Sequence, residues 1–259
     1  MRSRLASPRN KALVVMLIAW ASLLITYGLP SIELSTTFSE GVIQWTRTGG
    51  VAGSAFVSVM FIGLLVFRRS LAWRRRWQEI LIHIVILAVL QGGGALINEQ
   101  GIKRAVAMPR PNIVWLADQD ALGMTARQFY TSMNARERRS YLEHVLEDPG
   151  FHVITLTEEV RDHWIHETGY SFPSGHAFSA MLSATYFLAM GMSLIADRRR
   201  FIFYVLPVWA LLVAWSRVLL RVHRPFDVVI GGLLGIVLAV LAYELARRWL
   251  DKGRGRATS

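Results

Sequence analysis

Three short polar stretches hold most of the residues whose types and spacing could do chemistry. In the first, Lys103 and Arg110 are seven positions apart, a spacing that two helical turns would place on one face. Pro109 and Pro111 must end that helix, so the Arg110 side chain can turn back toward Lys103. Two long cations near one point suit a phosphate group, since arginine offers a planar pair of donors. The alternative is that Lys103 and Arg110 only contact lipid headgroups.

The second stretch has the sequence Pro-Ser-Gly-His at positions 173–176. A helix beginning here would present free backbone N–H groups and the positive end of its dipole, both of which attract anions. Ser174 could cap the helix and donate, and Gly175 would let a ligand approach the backbone closely. His176 could exchange a proton near neutral pH. The alternative is an ordinary serine cap followed by an interfacial histidine.

The third stretch combines Arg217, His223 and Asp227. His223 and Asp227 are four residues apart, so a shared helix face is expected. Asp227 would accept a hydrogen bond from one ring nitrogen, fix the tautomer and leave the other nitrogen free as a nucleophile. Arg217 adds a third cation that could bind phosphate. A purely structural His–Asp pair is the alternative.

Long apolar segments must position these stretches. A helix that crosses a bilayer needs about 20 mostly apolar residues. The chain has 259 residues, of which 53% are hydrophobic and 18% charged, whereas soluble domains have about 25% charged residues. We therefore predict an all-α polytopic membrane protein, one membrane-embedded domain over residues 1–259. Its six transmembrane helices are expected at about 13–29, 51–67, 80–101, 176–196, 201–215 and 226–246.

The distribution of charge orients these helices. Of the 29 Lys and Arg residues, 17 lie at the two termini and in the loops 68–79 and 197–200, on one side of the predicted bundle. Of the 18 acidic residues, 14 lie on the other side. Basic loops stay in the cytoplasm, so we expect both termini inside and all three polar stretches outside. The net charge of +11 then reflects topology and contact with membrane lipids, and no nucleic-acid partner is expected.

Residues 104–172, between the third and fourth spans, are predicted to form a small helical insert on the outer side. Thr-x-x-Gln and Asn-x-x-Glu patterns start two helices at Thr125 and Asn134, and Thr155 with Glu158 is expected to cap a third. On that third helix His163 and His166 lack an evident third zinc ligand, so we place them on a solvated face.

Taken together, the three stretches resemble the signature of the type 2 phosphatidic acid phosphatase superfamily. The insert resembles that of the bacterial phosphatidylglycerophosphatase B branch in its length and in the stretches 109–116 and 166–173. The resemblance covers most of residues 95–235, and the N-terminal third matches in pattern only. The signature positions are Lys103, Arg110, Ser174, Gly175, His176, Arg217, His223 and Asp227.

This resemblance implies a mechanism. His223 would attack phosphorus and form a phosphohistidine, with Asp227 orienting it, and His176 would protonate the leaving oxygen and later activate water. The remaining signature residues would hold the phosphoryl oxygens. No metal and no cofactor are expected, because three cations can neutralise the phosphate and the outer carboxylates look scattered, with only Asp227 in the signature.

The resemblance also implies a location and a set of substrates. The site would face the periplasm from a bacterial inner membrane and hydrolyse lipid phosphates such as phosphatidylglycerol phosphate, phosphatidic acid or undecaprenyl diphosphate. A lipid A phosphatase or a lipid-to-lipid phosphotransferase would use the same residues. Vanadate-binding haloperoxidases share the pocket but are soluble. A transporter or scaffold would lack a signature His or Asp, and neither is missing here.

Overall fold

The computed structural model describes residues 7–68 and 71–255 of the chain. These residues form helices, turns and loops with no strand among them, which confirms the predicted all-α fold. Part of the basic clusters used to orient the protein lies outside the described residues, namely Arg2, Arg4, Arg69 and Arg256.

Eleven helices follow one another within the described residues. They are α1 (Pro8–Ala21), α2 (Thr37–Gly49), α3 (Val51–Val66), α4 (residues 73–106), α5 (Pro111–Asp118), α6 (Ala126–Thr131), α7 (Ala135–Glu147), α8 (Glu158–His166), α9 (Gly175–Leu194), α10 (Val205–Leu219) and α11 (Pro225–Gly255). Two 3₁₀ segments, Ser22–Gly28 and Arg198–Tyr204, extend α1 and precede α10.

Five helical runs in this part of the chain are long and apolar enough to cross a membrane. They are Pro8–Gly28, Trp73–Asp118, Gly175–Leu194, Arg198–Leu219 and Pro225–Asp251. The sixth candidate is the pair α2 and α3, which passes the same criterion only when taken together and bends by 64° between them. Five of the six predicted spans correspond to these runs, and the one expected at 51–67 corresponds to α3, the second part of the bent pair.

Helix α9 lies at the centre of the bundle and is buried along most of its length against α1, α10 and α11. Its contact with α11 is close because two glycines of α11 face its backbone. A Cβ on Gly231 would lie 2.5 Å from the carbonyl oxygen of Ser174, and one on Gly235 would lie 2.3 Å from that of Phe178. Any larger residue at either position would separate the two helices that carry Ser174 and Asp227.

Helix α4 is distorted where it approaches the polar stretches. It contains two π turns, Ala88–Gly92 and Asn98–Ile102, and the second ends directly before Lys103. The helix ends at Val106 because Ala107 adopts a left-handed conformation, with φ of 49°. The expectation that Lys103 and Arg110 share a face of one helix is therefore wrong, since Lys103 lies in the last turn of α4 and Arg110 caps α5.

The insert, α5 to α8, packs around a hydrophobic core of its own that also includes α2 residues and Val222. Trp164 anchors it: its side chain is fully buried, and Nε1 donates to the carbonyl oxygen of Leu220 at 2.9 Å. This core fixes the insert against the loop that precedes α11.

The predicted helix starts in the insert are right in two cases of three. Thr125 and Asn134 both form capping boxes with the residue three positions later. The third helix, α8, is capped by Thr157, whose Oγ1 accepts from the backbone N–H of Val160 at 3.3 Å. The predicted cap, Thr155, is wrong because the backbone N–H of Thr157 is bound to the carbonyl oxygen of Leu34 at 3.0 Å, which delays the helix by two residues.

The end of the bundle away from the signature residues is rich in basic side chains, and some of them link neighbouring helices. Arg9 of α1 forms an ion pair with Glu244 of α11, and Arg75 of α4 donates to the carbonyl oxygen of Leu250. These contacts join the first, third and last membrane helices at that end.

Candidate active site

All eight signature residues lie at one end of the bundle, on six different segments. Lys103 is in the last turn of α4, Arg110 is the N-cap of α5, and Arg217 is in the last turn of α10. Ser174, Gly175 and His176 begin α9, His223 lies in the loop before α11, and Asp227 is in the first turn of α11.

Both ring nitrogens of His223 face a charged side chain, although Nδ1 makes no hydrogen bond among the described residues. Its Nδ1 lies 3.4 Å from Oδ2 of Asp227, and its Nε2 lies 3.1 Å from NH1 of Arg110. Arginine can only donate, so Nε2 must be the unprotonated nitrogen and Nδ1 must carry the proton toward Asp227. This tautomer is the one that the sequence predicts for a nucleophilic histidine.

The electrostatic surroundings keep His223 neutral. Burial lowers the pKa of its imidazole well below the ordinary value, and the positive charges of Arg110 and Arg217 lower it further. A neutral ring retains the lone pair on Nε2 that an attack on phosphorus requires.

Asp227 connects His223 to the second polar stretch. Its Oδ2 accepts from the backbone N–H of Arg224 at 2.8 Å, and its carbonyl oxygen accepts from the backbone N–H of Ser174 at 3.0 Å. Ser174 caps α9 as predicted, with Oγ accepting from the N–H of Ala177 at 3.4 Å. The start of α9 is thereby fixed beside the His–Asp pair.

His176 faces the bend between α2 and α3. A Cβ on Gly50 would lie 3.6 Å from Nε2 of His176, so this glycine leaves room for the ring. The charges acting on His176 include Arg217, Glu167 and Arg110, the same groups that surround His223. Among the described residues the His176 side chain has no hydrogen-bond partner, which leaves it free to contact a substrate.

Arg110 and Arg217 are buried and share one carboxylate, that of Glu167. Its two oxygens each lie 2.6 Å from an NH2 group, Oε2 from that of Arg110 and Oε1 from that of Arg217. Burial alone would raise the pKa of Glu167, but the two guanidinium groups hold it well below its usual range. Glu167 is therefore ionised, and it occupies a position between two cations that also suits a phosphate.

Other groups complete the two arginine sites. Nε of Arg110 donates to the carbonyl oxygen of Gly169 at 2.8 Å. NH1 of Arg217 donates to Oγ1 of Thr46 at 2.6 Å and lies 3.0 Å from Nε2 of His163. Burial, followed by the charge of Arg217, lowers the pKa of His163 to about 3, so this histidine is neutral.

The third cation, Lys103, is buried and forms an ion pair with Glu99, one helical turn earlier. The site thus contains three cations, and Glu99, Glu167 and Asp227 provide three carboxylates. The expectation that the outer carboxylates are scattered is wrong for Glu99 and Glu167, which pair with the signature cations. A phosphate must compete with Glu167 or Glu99 for the cations, since the resting charges already balance.

Sequence reasoning missed several of these residues. The sequence predicts both histidines on a solvated face. His166 is exposed as predicted, but the ring of His163 contacts Arg217. Two of the missed residues could have been found from the sequence. Glu167 lies inside a stretch that resembles the family, and Glu99 and Lys103 have the spacing of a helical ion pair. Nothing in the sequence points to Thr46.

The described residues contain no group of three His, Asp or Glu side chains arranged to hold a metal ion. That the site works without a metal or a cofactor stays a prediction. It rests on the three cations, which can neutralise the charge of a phosphate.

Comparison with known proteins agrees with this geometry. Over 203 residues the chain is 32% identical to phosphatidylglycerophosphatase B of Escherichia coli (strain K12), covering 78% of this chain and 72% of that protein. It is 30% identical to phosphatidylglycerophosphatase B of Haemophilus influenzae over 212 residues, 78% of this chain and 80% of the relative. An undecaprenyl-diphosphatase of Sulfolobus acidocaldarius is 33% identical over 78 residues, 30% of this chain and 34% of the relative.

The sequence pattern of the PAP2 superfamily matches residues 79–251, a stretch that includes all eight signature positions. The helical bundle, the cations at one of its ends and the relatives named above lead to the same assignment. The chain belongs to the PAP2 superfamily and is a membrane-embedded lipid phosphatase.

Proposed function

We propose that the protein hydrolyses phosphatidylglycerol phosphate and related lipid phosphates, among them phosphatidic acid and undecaprenyl diphosphate, through a phosphohistidine intermediate. The observation that carries this proposal is the placement of His223. Its protonated nitrogen faces Asp227, and its unprotonated nitrogen faces the guanidinium of Arg110, where a phosphoryl group would bind. The relatives named phosphatidylglycerophosphatase B support the choice of lipid.

In the first step, Nε2 of His223 attacks phosphorus, and the bond between phosphorus and the lipid oxygen breaks. His176 gives its proton to that oxygen, which leaves as an alcohol. The positive charge on the phosphorylated imidazole is stabilised by Asp227 through the Nδ1 proton. In the second step, water attacks phosphorus while His176 takes its proton, the nitrogen–phosphorus bond breaks, and the electron pair returns to Nε2.

The charge that develops on the phosphoryl oxygens needs preorganised donors. In this proposal the donors are the two cations paired with Glu167, the lysine paired with Glu99 and the N-terminus of α9. They are Lys103, Arg110, Ser174, Gly175 and Arg217. Substrate binding would release at least one cation from its carboxylate, which makes the site selective for a dianion over a weaker anion.

We place the protein in a bacterial inner membrane, with the active site and the 104–172 insert facing the periplasm and both termini in the cytoplasm. The support is the excess of Lys and Arg in the loops 68–79 and 197–200, at the end of the bundle away from the site.

The test is phosphate release from a panel of lipids by the detergent-solubilised protein, with and without EDTA. A His223→Ala preparation made in parallel controls for contaminating phosphatases. We expect release from phosphatidylglycerol phosphate that EDTA leaves intact. No release from any lipid phosphate contradicts the proposed function. Loss in EDTA that magnesium restores contradicts the metal-free mechanism.

A further inference from the structure

Glu99 is the one site carboxylate, among the described residues, that is largely exposed. Its side chain retains 53% of its accessible surface, compared with 17% for Glu167 and none for Asp227. It lies in the π turn Asn98–Ile102 and forms an ion pair with the buried Lys103. Its carboxylate therefore stands at the edge of the site, between the cation and the surroundings of the bundle.

Glu99 is the most exposed of the ion-paired groups of the site, so a leaving group that extends from the buried cations toward this edge passes its carboxylate. A Cβ on Gly175 would be 3.9 Å from Oε1 of Glu99, and Gly175 directly precedes His176, the proposed donor to the leaving oxygen. Asn98 holds this part of α4 against the same turn, since its Nδ2 donates to the carbonyl oxygen of Pro173 at 3.4 Å. Glu167, in contrast, lies between the two arginines that face the transferred phosphoryl group.

A negative charge at this position affects substrates according to the charge of the group that leaves. A monoester such as phosphatidic acid loses a neutral alcohol. A diphosphate loses a lipid phosphate, which carries negative charge directly beside the breaking bond. The carboxylate of Glu99 repels such a leaving group and at the same time neutralises Lys103, its ion-pair partner.

We propose that Glu99 is a specificity-determining residue that disfavours diphosphates relative to phosphate monoesters with neutral leaving groups. This inference rests on the proposed function, and it ranks substrates that the sequence leaves unranked. The undecaprenyl-diphosphatase relative matches only 78 residues of the chain, so the comparison gives no separate support for diphosphate as the preferred substrate.

Two prenyl lipids test this proposal because they differ only in the leaving group. The experiment measures kcat/KM of the wild-type protein and of Glu99→Gln on a prenyl monophosphate and on the diphosphate with the same chain. Because the charge of Glu99 is about half exposed, we expect the diphosphate-to-monophosphate ratio to rise about three- to tenfold in the variant. The increase should shrink at high ionic strength, since salt screens exposed charges.

Three further variants make the result specific. Glu99→Ala is a second neutral variant, and Glu99→Asp keeps the charge and should keep a ratio near that of the wild type. Glu143→Gln removes an exposed carboxylate from α7, away from the site, and should leave both activities unchanged.

An active Glu99→Gln or Glu99→Ala enzyme with the wild-type ratio overturns the proposal, and Glu99 then serves only to hold Lys103. A wild-type protein that releases phosphate from no lipid of either class contradicts the proposed function as well, so the two failures are distinguishable.

Discussion

Nδ1 of His223 lies 3.4 Å from Oδ2 of Asp227, and the same carboxylate oxygen accepts a hydrogen bond from the backbone N–H of Arg224. The bond from Arg224 shows one task of Asp227, which is to fix the loop that carries His223. The second task is the one we propose, namely to set which ring nitrogen is protonated. These tasks differ in their need for charge. An amide oxygen can accept from the backbone, but it cannot stabilise an imidazolium as a carboxylate does.

Asp227→Asn should accordingly keep the fold and lose turnover. We expect kcat to fall by about 10³–10⁴-fold, as in other sites where the orienting carboxylate of a histidine becomes an amide, with little change in the inhibition constant of inorganic phosphate. Steady-state kinetics with inhibition by phosphate measure both quantities. Asp118→Asn, at the exposed end of α5, is the matched control. A loss of phosphate binding equal to the loss of kcat would show that Asp227 acts on structure alone.

The two histidines should differ in their dependence on the leaving group. His223→Ala should be inactive on every phosphate ester, because no covalent intermediate can form. His176→Ala should lose about 10²–10⁴-fold on phosphatidic acid and less on p-nitrophenyl phosphate, whose leaving group needs no proton. Rapid quench with labelled substrate should detect acid-labile, base-stable phosphate on the His176→Ala protein. Label on His223→Ala and none on His176→Ala would reverse the two roles.

Glu167→Gln should bind phosphate more tightly and be less stable without it. The substitution removes the anion that competes for Arg110 and Arg217, so the inhibition constant of phosphate should fall about tenfold. It also leaves two buried cations without a counter-charge, at a cost of about 3 kcal/mol. Phosphate should therefore raise the Tm of the variant more than that of the wild type. Weaker phosphate binding in the variant would show that Glu167 stays in place to orient the arginines.

The same carboxylate gives a pH dependence of stability. The pKa of Glu167 is depressed in the folded protein, so its contribution is fully present above the ordinary glutamate pKa of about 4.3 and is lost as pH falls through the lower native value. Wild-type protein should lose Tm on acidification below about pH 4.5 more steeply than Glu167→Gln. Parallel Tm profiles for the two proteins would contradict this assignment.

The topology of the chain can be tested with single cysteines, since the sequence contains none. Glu143→Cys on the exposed face of α7 should react with a membrane-impermeant maleimide in intact spheroplasts. Arg199→Cys should react only after the membrane is permeabilised. The reverse labelling pattern would place the insert and the active site in the cytoplasm.

The sequence predicts the membrane helices because apolar segments of bilayer length leave a strong signal. It does not predict the bend before α3, because α2 carries Gln44 and Arg47 and is too polar to be recognised as part of a span. The predicted capping residue of α8 is wrong for a different reason. Thr155 and Thr157 both suit a helix start, and a backbone bond from Thr157 to Leu34, far away in sequence, decides between them.

In the site, the sequence identifies residues that form motifs and misses those that act through distant contacts. Glu167 is 57 residues from Arg110 and 50 from Arg217, so its position between them depends on the packing of the insert. His163 reaches Arg217 for the same reason. Spacing along one helix shows neither contact, so the sequence does not predict that Arg110 and Arg217 are paired with a carboxylate.

The π turn that precedes Lys103 makes the direction of that side chain depend on residue count. A π turn holds one more residue than an α turn, and each residue rotates a helix by about 100°. If the same residues between Asn98 and Ile102 formed a regular α turn, Lys103 would turn by about a quarter of a revolution, away from Arg110. Deleting one residue there would instead remove the π turn and leave Lys103 in its present direction. Relatives with one residue fewer in this segment would therefore keep the same cation in the pocket without a π turn.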